Sequence, residues 1–185
     1  MIKVKHHLPI LAAFMLLGVL LFQGWQLTNL LQKREWTYSD NLLHNLSGRA
    51  QTLLERRFET DDMVAVRQGM SEIFLFKRET EAFLIGAEDK VVAADRLGFD
   101  GTSVSGLPIK LDARKLRECK ETLQILIVTD RVNQRLISYV PISMSRAGQP
   151  PYSKVGVLTI ILDAKQGIEE VSDFVRESIL KSLFI

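Results

Sequence analysis

The sequence predicts an α+β protein. A membrane helix and a long lead-in helix come first, then a single antiparallel sheet of five short strands flanked by helices, then a C-terminal helix. Three observations carry this expectation. Residues 8–27, LPILAAFMLLGVLLFQGWQL, contain no charged side chain. After Glu79 the apolar spacing changes from three-and-four to the tighter patterns of strands, in five separate runs. From Ala164 onward a helical stripe returns.

About 20 apolar residues of helix cross a bilayer core, so 8–27 is expected to be a transmembrane helix. Trp25 falls where an interfacial aromatic would anchor the outer edge. Lys3, Lys5, His6 and His7 precede the segment, which places residues 1–7 in the cytoplasm by the positive-inside rule. The long apolar run, followed by Gln23-Gly24-Trp25-Gln26 rather than small residues, favours an uncleaved signal anchor over a cleaved signal peptide. The folded body is then expected outside a bacterial cytoplasmic membrane, in the periplasm of a Gram-negative source.

From Thr28 to Phe58 there is no proline and one glycine, Gly48, so the helix is expected to continue out of the membrane. Leu43, Leu46, Ala50 and Leu53 repeat at the spacing of a helix seam. Two readings stay open for this stripe, a homodimer seam along 28–58 or a cover for the domain's own sheet. Thr60-Asp61-Asp62 starts a second helix, with Met63, Val66, Met70 and Ile73 as its apolar face. Ala82–Gly86 and Lys90–Asp95 read as a hairpin around Ala87-Glu88-Asp89. A loop with Gly98, Gly101 and Gly106 runs to Pro108. Leu111–Leu123 is expected to be a helix with Leu116, Cys119 and Leu123 on one face. Gln124–Asp130 and Arg135–Met144 form a second hairpin, and Lys154–Asp163, KVGVLTIILD, is apolar on both faces as a central covered strand is. The last helix carries Ile168, Val171, Val175 and Ile179 on one stripe.

Composition removes several function classes. The chain has 24 basic and 22 acidic residues, and Lys3 and Lys5 account for the difference, so the body is neutral and lacks the clustered basic face that nucleic acid rewards. There is a single cysteine, Cys119, so no internal disulfide forms. His6, His7 and His44 are the only histidines. That argues against zinc sites of the usual kind, His-based triads and a phospho-accepting histidine in the body. No catalytic residue, metal ligand or cofactor is expected, and the chain reads as a non-enzyme.

The ordered set of long helix, hairpin FLIGAEDKVVAAD, loop to Gly101 and Gly106, strand SYVPIS and closing strand KVGVLTIILDA resembles the single-Cache, PAS-like extracytoplasmic sensor domain of bacterial transmembrane receptors. The likeness covers Thr28 to about Ser178. It implies a small molecule held between the sheet and its covering loops, and a shift of the lead-in and exit helices passed across the membrane. The output would be a histidine kinase, a cyclic-di-GMP enzyme or a chemotaxis signalling domain.

Such a pocket would be lined by the sheet face opposite the long helices, by the loop Asp95–Pro108 and by helix Leu111–Leu123. Tyr139 and Ser143 share one face of the fourth strand, with Ser138 on the other. Tyr139 either offers its hydroxyl to a ligand or is a core tyrosine satisfied by backbone. Thr129 is polar in an apolar strand. Arg96 and Lys110 flank the covering loop, and Arg67 lies beside the apolar stripe of the second helix; each is a candidate for an anionic ligand or else a solvated charge. Cys119 on an apolar face reads as an inert buried thiol. Asn45-Leu46-Ser47 matches a glycosylation sequon that has meaning only in a eukaryote. Asp112, Asp130 and Asp163 fall where caps and turns explain them.

Two other classes compete. A single-pass assembly protein of a secretion or pilus system, with a coiled coil and a ferredoxin-like domain, would need β-α-β units, whereas three strands here follow one another without a helix. An extracytoplasmic enzyme would need a nucleophile–base pair or metal cluster. The final stretch 179–185, with only Lys181 and Ser182 polar, covers about 10 Å of helix, a third of a bilayer core. It is expected to be the junction to a second membrane helix.

Overall fold

The computed structural model describes residues 7–74, 80–95 and 98–183; side chains are described over the same residues except 7–10, 13, 73–74 and 178–183. The elements in chain order are α1 (His7–Glu59), α2 (Met63–Phe74), β1 (Thr80–Ile85), β2 (Val91–Ala94), α3 (Ala113–Thr122), β3 (Leu126–Asp130), β4 (Arg135–Ser143), β5 (Val155–Asp163) and α4 (Lys165–Leu183). The chain divides into two compact units, one made of residues up to Tyr38 with those from Lys165 onward, the other Ser39–Ala164.

In the first unit, α1 continues without a break from its apolar segment, as the absence of proline allows. Phe14, Met15, Leu16, Leu21, Phe22 and Trp25 all stand exposed on it. Exposing that much apolar surface to water is unfavourable at about 25 cal/mol per Å², and α1 is long and apolar enough to span a membrane. Thr28, Leu31 and Glu35, at helical spacing on α1, are partly covered, as is Val171 on α4, while Ile168 and Val175 are buried. A Cβ on Gly167 would lie 2.7 Å from Glu35 Oε1, so a glycine permits the close approach of α4 to α1. The start of α4 therefore lies beside Glu35 of α1, in the same compact unit. Ile179, the last residue of the expected stripe, and the stretch 179–185 have no described side chains.

The second unit is built on a five-stranded sheet of order β2-β1-β5-β4-β3, antiparallel at every pairing. The most apolar run, β5, is its central strand, and Gly156–Leu162 are buried on both faces. Directly opposed residues share a face, so Phe83, Thr159, Tyr139 and Leu126 form one row and Ala82, Ile160, Ser138 and Ile127 a row on the reverse. The reverse face is covered by the second half of α1. Ser47 Oγ lies 2.6 Å from Ser138 Oγ, Gln51 Nε2 donates to the Pro141 carbonyl (2.9 Å), and Ser143 N–H donates to Glu55 Oε1 (3.0 Å). Leu43, Leu46, Ala50 and Leu54 are buried there. Leu43, Leu46 and Ala50 of the expected stripe therefore cover the sheet, whereas its fourth member, Leu53, is partly buried and lies against Gly69 of α2.

Asp62 caps α2 by accepting the N–H groups of Val64 and Ala65. Its buried face is Ala65, Val66, Gly69 and Met70, with Gly69 against Leu53 and Leu54, so α2 lies beside α1. Met63, expected on this face, is instead exposed at the first position of the helix. On the other side of the sheet, Phe83, Ile85, Val91, Leu107, Leu111, Leu116, Cys119, Ile137, Tyr139, Val157 and Ile161 make one apolar cluster beneath α3 and the loop before it. Leu123 does not join it: this residue is the left-handed cap that ends α3 (φ 54°), which turns its side chain out.

Candidate ligand cleft

The segment between β2 and α3 is held by the sheet edge. Val91 N–H donates to the Thr102 carbonyl (2.9 Å) and Gly101 N–H to that of Val91 (2.8 Å), with Gly101 at φ +78°, a conformation that favours glycine. Ser103 caps a single 3-10 turn, Val104–Gly106, and Leu107 and Leu111 then anchor the chain in the apolar cluster. Asp112 starts α3 by accepting the Arg114 N–H (2.8 Å). Its own N–H donates to Tyr139 Oη (3.1 Å), which ties the start of the helix to the middle of β4. At the other end, Lys120 Nζ pairs with Asp89 Oδ1 (2.6 Å) and donates to the Gly86 carbonyl (3.2 Å), fastening α3 to the β1–β2 hairpin.

These two ties leave a cleft of about 780 Å³ between the loop and the flank of α3 formed by Ala113, Leu116, Arg117 and Lys120. That size falls within the range of small-molecule sites. Its walls are apolar at Val104, Leu107, Ile109, Leu111 and Leu116, and Lys110, Arg117 and Lys120 stand around it with Asp89 as the one carboxylate. Lys120 is already paired with Asp89, whereas Lys110 and Arg117 are exposed and in no ion pair among the described residues. The cleft therefore offers two free positive charges over an apolar wall.

The expected pocket against the sheet face is occupied by the protein's own side chains. Tyr139 is 1% exposed, and Thr159 donates to the Phe83 carbonyl (3.1 Å). Burial pushes the Tyr139 phenol above its ordinary pKa. Of its two readings, the core tyrosine satisfied by backbone holds. Ser143 lies elsewhere, at a smaller recess of about 370 Å³ with Glu55 and Tyr152, where its Oγ accepts the Tyr152 N–H (3.1 Å). Burial and, after it, the hydrogen bond to Glu55 raise the pKa of Tyr152. Thr129 faces the α1 side, opposite Leu136, and is exposed. Arg67 is engaged at 2.6 Å with Asp100. Arg96 lies outside the described residues. Of the candidates among the described residues, Lys110 alone lines the cleft.

Arg117 and Lys120 were not among those candidates. The signal for them is one of spacing: on α3 they sit three residues apart, next to the buried pair Leu116 and Cys119. Cys119 itself is fully buried, and desolvation pushes its thiol up to about 12, so it is inert as expected. Among the described residues no group of three His, Cys, Asp or Glu side chains is placed to hold a metal ion. Compared with protein-family models and with curated protein sequences, the chain matches none.

Proposed function

We propose that the chain is the extracytoplasmic sensing region of a membrane-bound signalling protein of the single-Cache, PAS-like kind. In this reading α1 enters from the membrane, the sheet domain receives a small molecule at the cleft on α3, and α4 is the exit helix leading back to the membrane. The signal passes to a cytoplasmic kinase, cyclic-di-GMP or chemotaxis output, and the chain performs no catalysis itself.

One observation carries the proposal. Adjacent residues of β4 hold the two helices that matter: Tyr139 clasps the start of α3 on one face, and Ser138 bonds to Ser47 of α1 on the other. A ligand that draws α3 toward the loop pulls on β4 through the first contact, and the second contact transmits that pull to α1. A ligand can bias such a device only if it contacts its two states differently; a cleft walled by α3 on one side and a loop on the other supports that reading, since moving α3 would change its walls. The assembly-protein reading is less well supported, because the element order gives β-β-α-β-β-β rather than β-α-β repeats.

The placement of the domain is tested by a Val132→Cys variant, since Val132 is 92% exposed at the β3–β4 turn and the native thiol is buried. A membrane-impermeant maleimide added to intact cells should label it. Labelling only after lysis of the cytoplasmic membrane would overturn the proposal.

A further inference from the structure

The free charges of the cleft define what it takes. A neutral apolar ligand would leave Lys110 and Arg117 solvated at the rim and gain nothing from them. A cationic ligand would meet three positive side chains and one carboxylate that Lys120 already holds at 2.6 Å. A small anion without an apolar body would leave Val104, Pro108 and Ile109, the apolar lining that solvent still reaches, uncovered. We infer that the cleft binds a small amphipathic carboxylate, its apolar body on Val104, Pro108 and Ile109 and its carboxylate at Lys110 and Arg117.

This inference rests on the ligand-sensing role proposed above and narrows it to one chemical class. The arrangement suits that class on three counts. Guanidinium and ammonium groups form charge-assisted hydrogen bonds with carboxylate oxygens. The low-dielectric wall beside them strengthens the attraction relative to open water. The Lys120–Asp89 pair, already matched in charge, stands at the hairpin end of the cleft and leaves Lys110 and Arg117 as the cations open to a ligand.

The test uses the full chain in lipid nanodiscs with hexanoate, hexylamine and hexanol as probes. Hexanoate should raise the thermal midpoint by about 3–5 °C at ten times its Kd, while the amine and the alcohol at equal concentration should not. Lys110→Ala with Arg117→Ala should weaken hexanoate binding at least about tenfold. Both residues are exposed, so the pair should fold normally. Lys110→Arg with Arg117→Lys, which keeps both charges, should restore most of the affinity. Stabilisation by hexylamine or hexanol in place of hexanoate would overturn the carboxylate assignment and leave ligand sensing standing. Hexanoate binding untouched by the double alanine variant would overturn the site. Silence of all three probes would overturn the carboxylate assignment, and the sensing reading would then stand or fall on the maleimide labelling.

Discussion

Replacing Tyr139 with phenylalanine separates a positioning role from ligand contact. The ring stays in the apolar cluster, so no cavity of consequence forms; what is lost is the oxygen that accepts the Asp112 N–H at 3.1 Å. A typical intramolecular hydrogen bond contributes about 0.5–1.5 kcal/mol net, and a sealed donor left unpaired costs about 1–3 kcal/mol. Asp112 is exposed at the start of α3, so water can reach its N–H and the cost falls near 1 kcal/mol. For a body of this size that lowers the thermal midpoint by about 3–5 °C. Hexanoate affinity should fall no more than about fivefold, since about 1.4 kcal/mol corresponds to tenfold and only part of the loss reaches the cleft. Amide exchange read by mass spectrometry should quicken at the first turn of α3 and remain unchanged in β5. A variant with an unaltered midpoint and hexanoate binding lost a hundredfold would refute the reasoning, because the hydroxyl would then touch the ligand.

The buried hydroxyl pair between α1 and β4 behaves differently. Ser47→Ala alone leaves Ser138 without its 2.6 Å partner and should cost about 1–2 kcal/mol, whereas Ser47→Ala with Ser138→Ala should cost less than the sum of the two single changes in a denaturation cycle. Gly156→Ala should be severe, on the order of 2 kcal/mol or more, because its Cβ would sit 2.9 Å from the Ile85 carbonyl oxygen and 2.6 Å from Met144 Sδ in the middle of the sheet; a midpoint within a degree of the native protein would contradict the packing of β5. Cys119 should resist a thiol reagent at pH 8 in the folded protein and react fully in denaturant. Its raised pKa also sets a sign: the unfolded thiol ionises near 9 and the folded one near 12, so the stabilising term is complete below 9 and is lost as pH rises through that window. Urea titrations at pH 8 and pH 11 should show stability falling, and falling less in Cys119→Ala.

Local pattern made much of the architecture legible. The unbroken α1 follows from the lack of proline between Thr28 and Phe58, and the central place of β5 from apolar residues on both its faces. Asp62 and Asp112 announced helix starts that the structure contains. What stayed hidden depends on partners distant in sequence. Thr129 shares a face with Leu136 only because of the β3–β4 register, which no run of residues displays. The satisfaction of Tyr139 by a backbone N–H 27 positions away required the path of the loop, and that path is set by hydrogen bonds from Val91 and Gly101 at the sheet edge. The stripe Leu43, Leu46, Ala50 has the spacing of a seam and of a sheet cover alike, so spacing alone could not choose between them. Leu123 shows the same limit at a helix end, where backbone conformation overrides the apolar pattern.

Sensing of the proposed kind requires coupling between the cleft and the helices α1 and α4, and a distance measurement addresses it. Spin labels at Thr37→Cys and Glu169→Cys, both exposed, would report the α1–α4 separation in nanodiscs while Cys119 stays unlabelled. Saturating hexanoate should shift the distance distribution by about 1–2 Å, and the shift should vanish in the Lys110→Ala, Arg117→Ala background. An unchanged distribution in protein shown to have hexanoate bound would contradict the sensing mechanism.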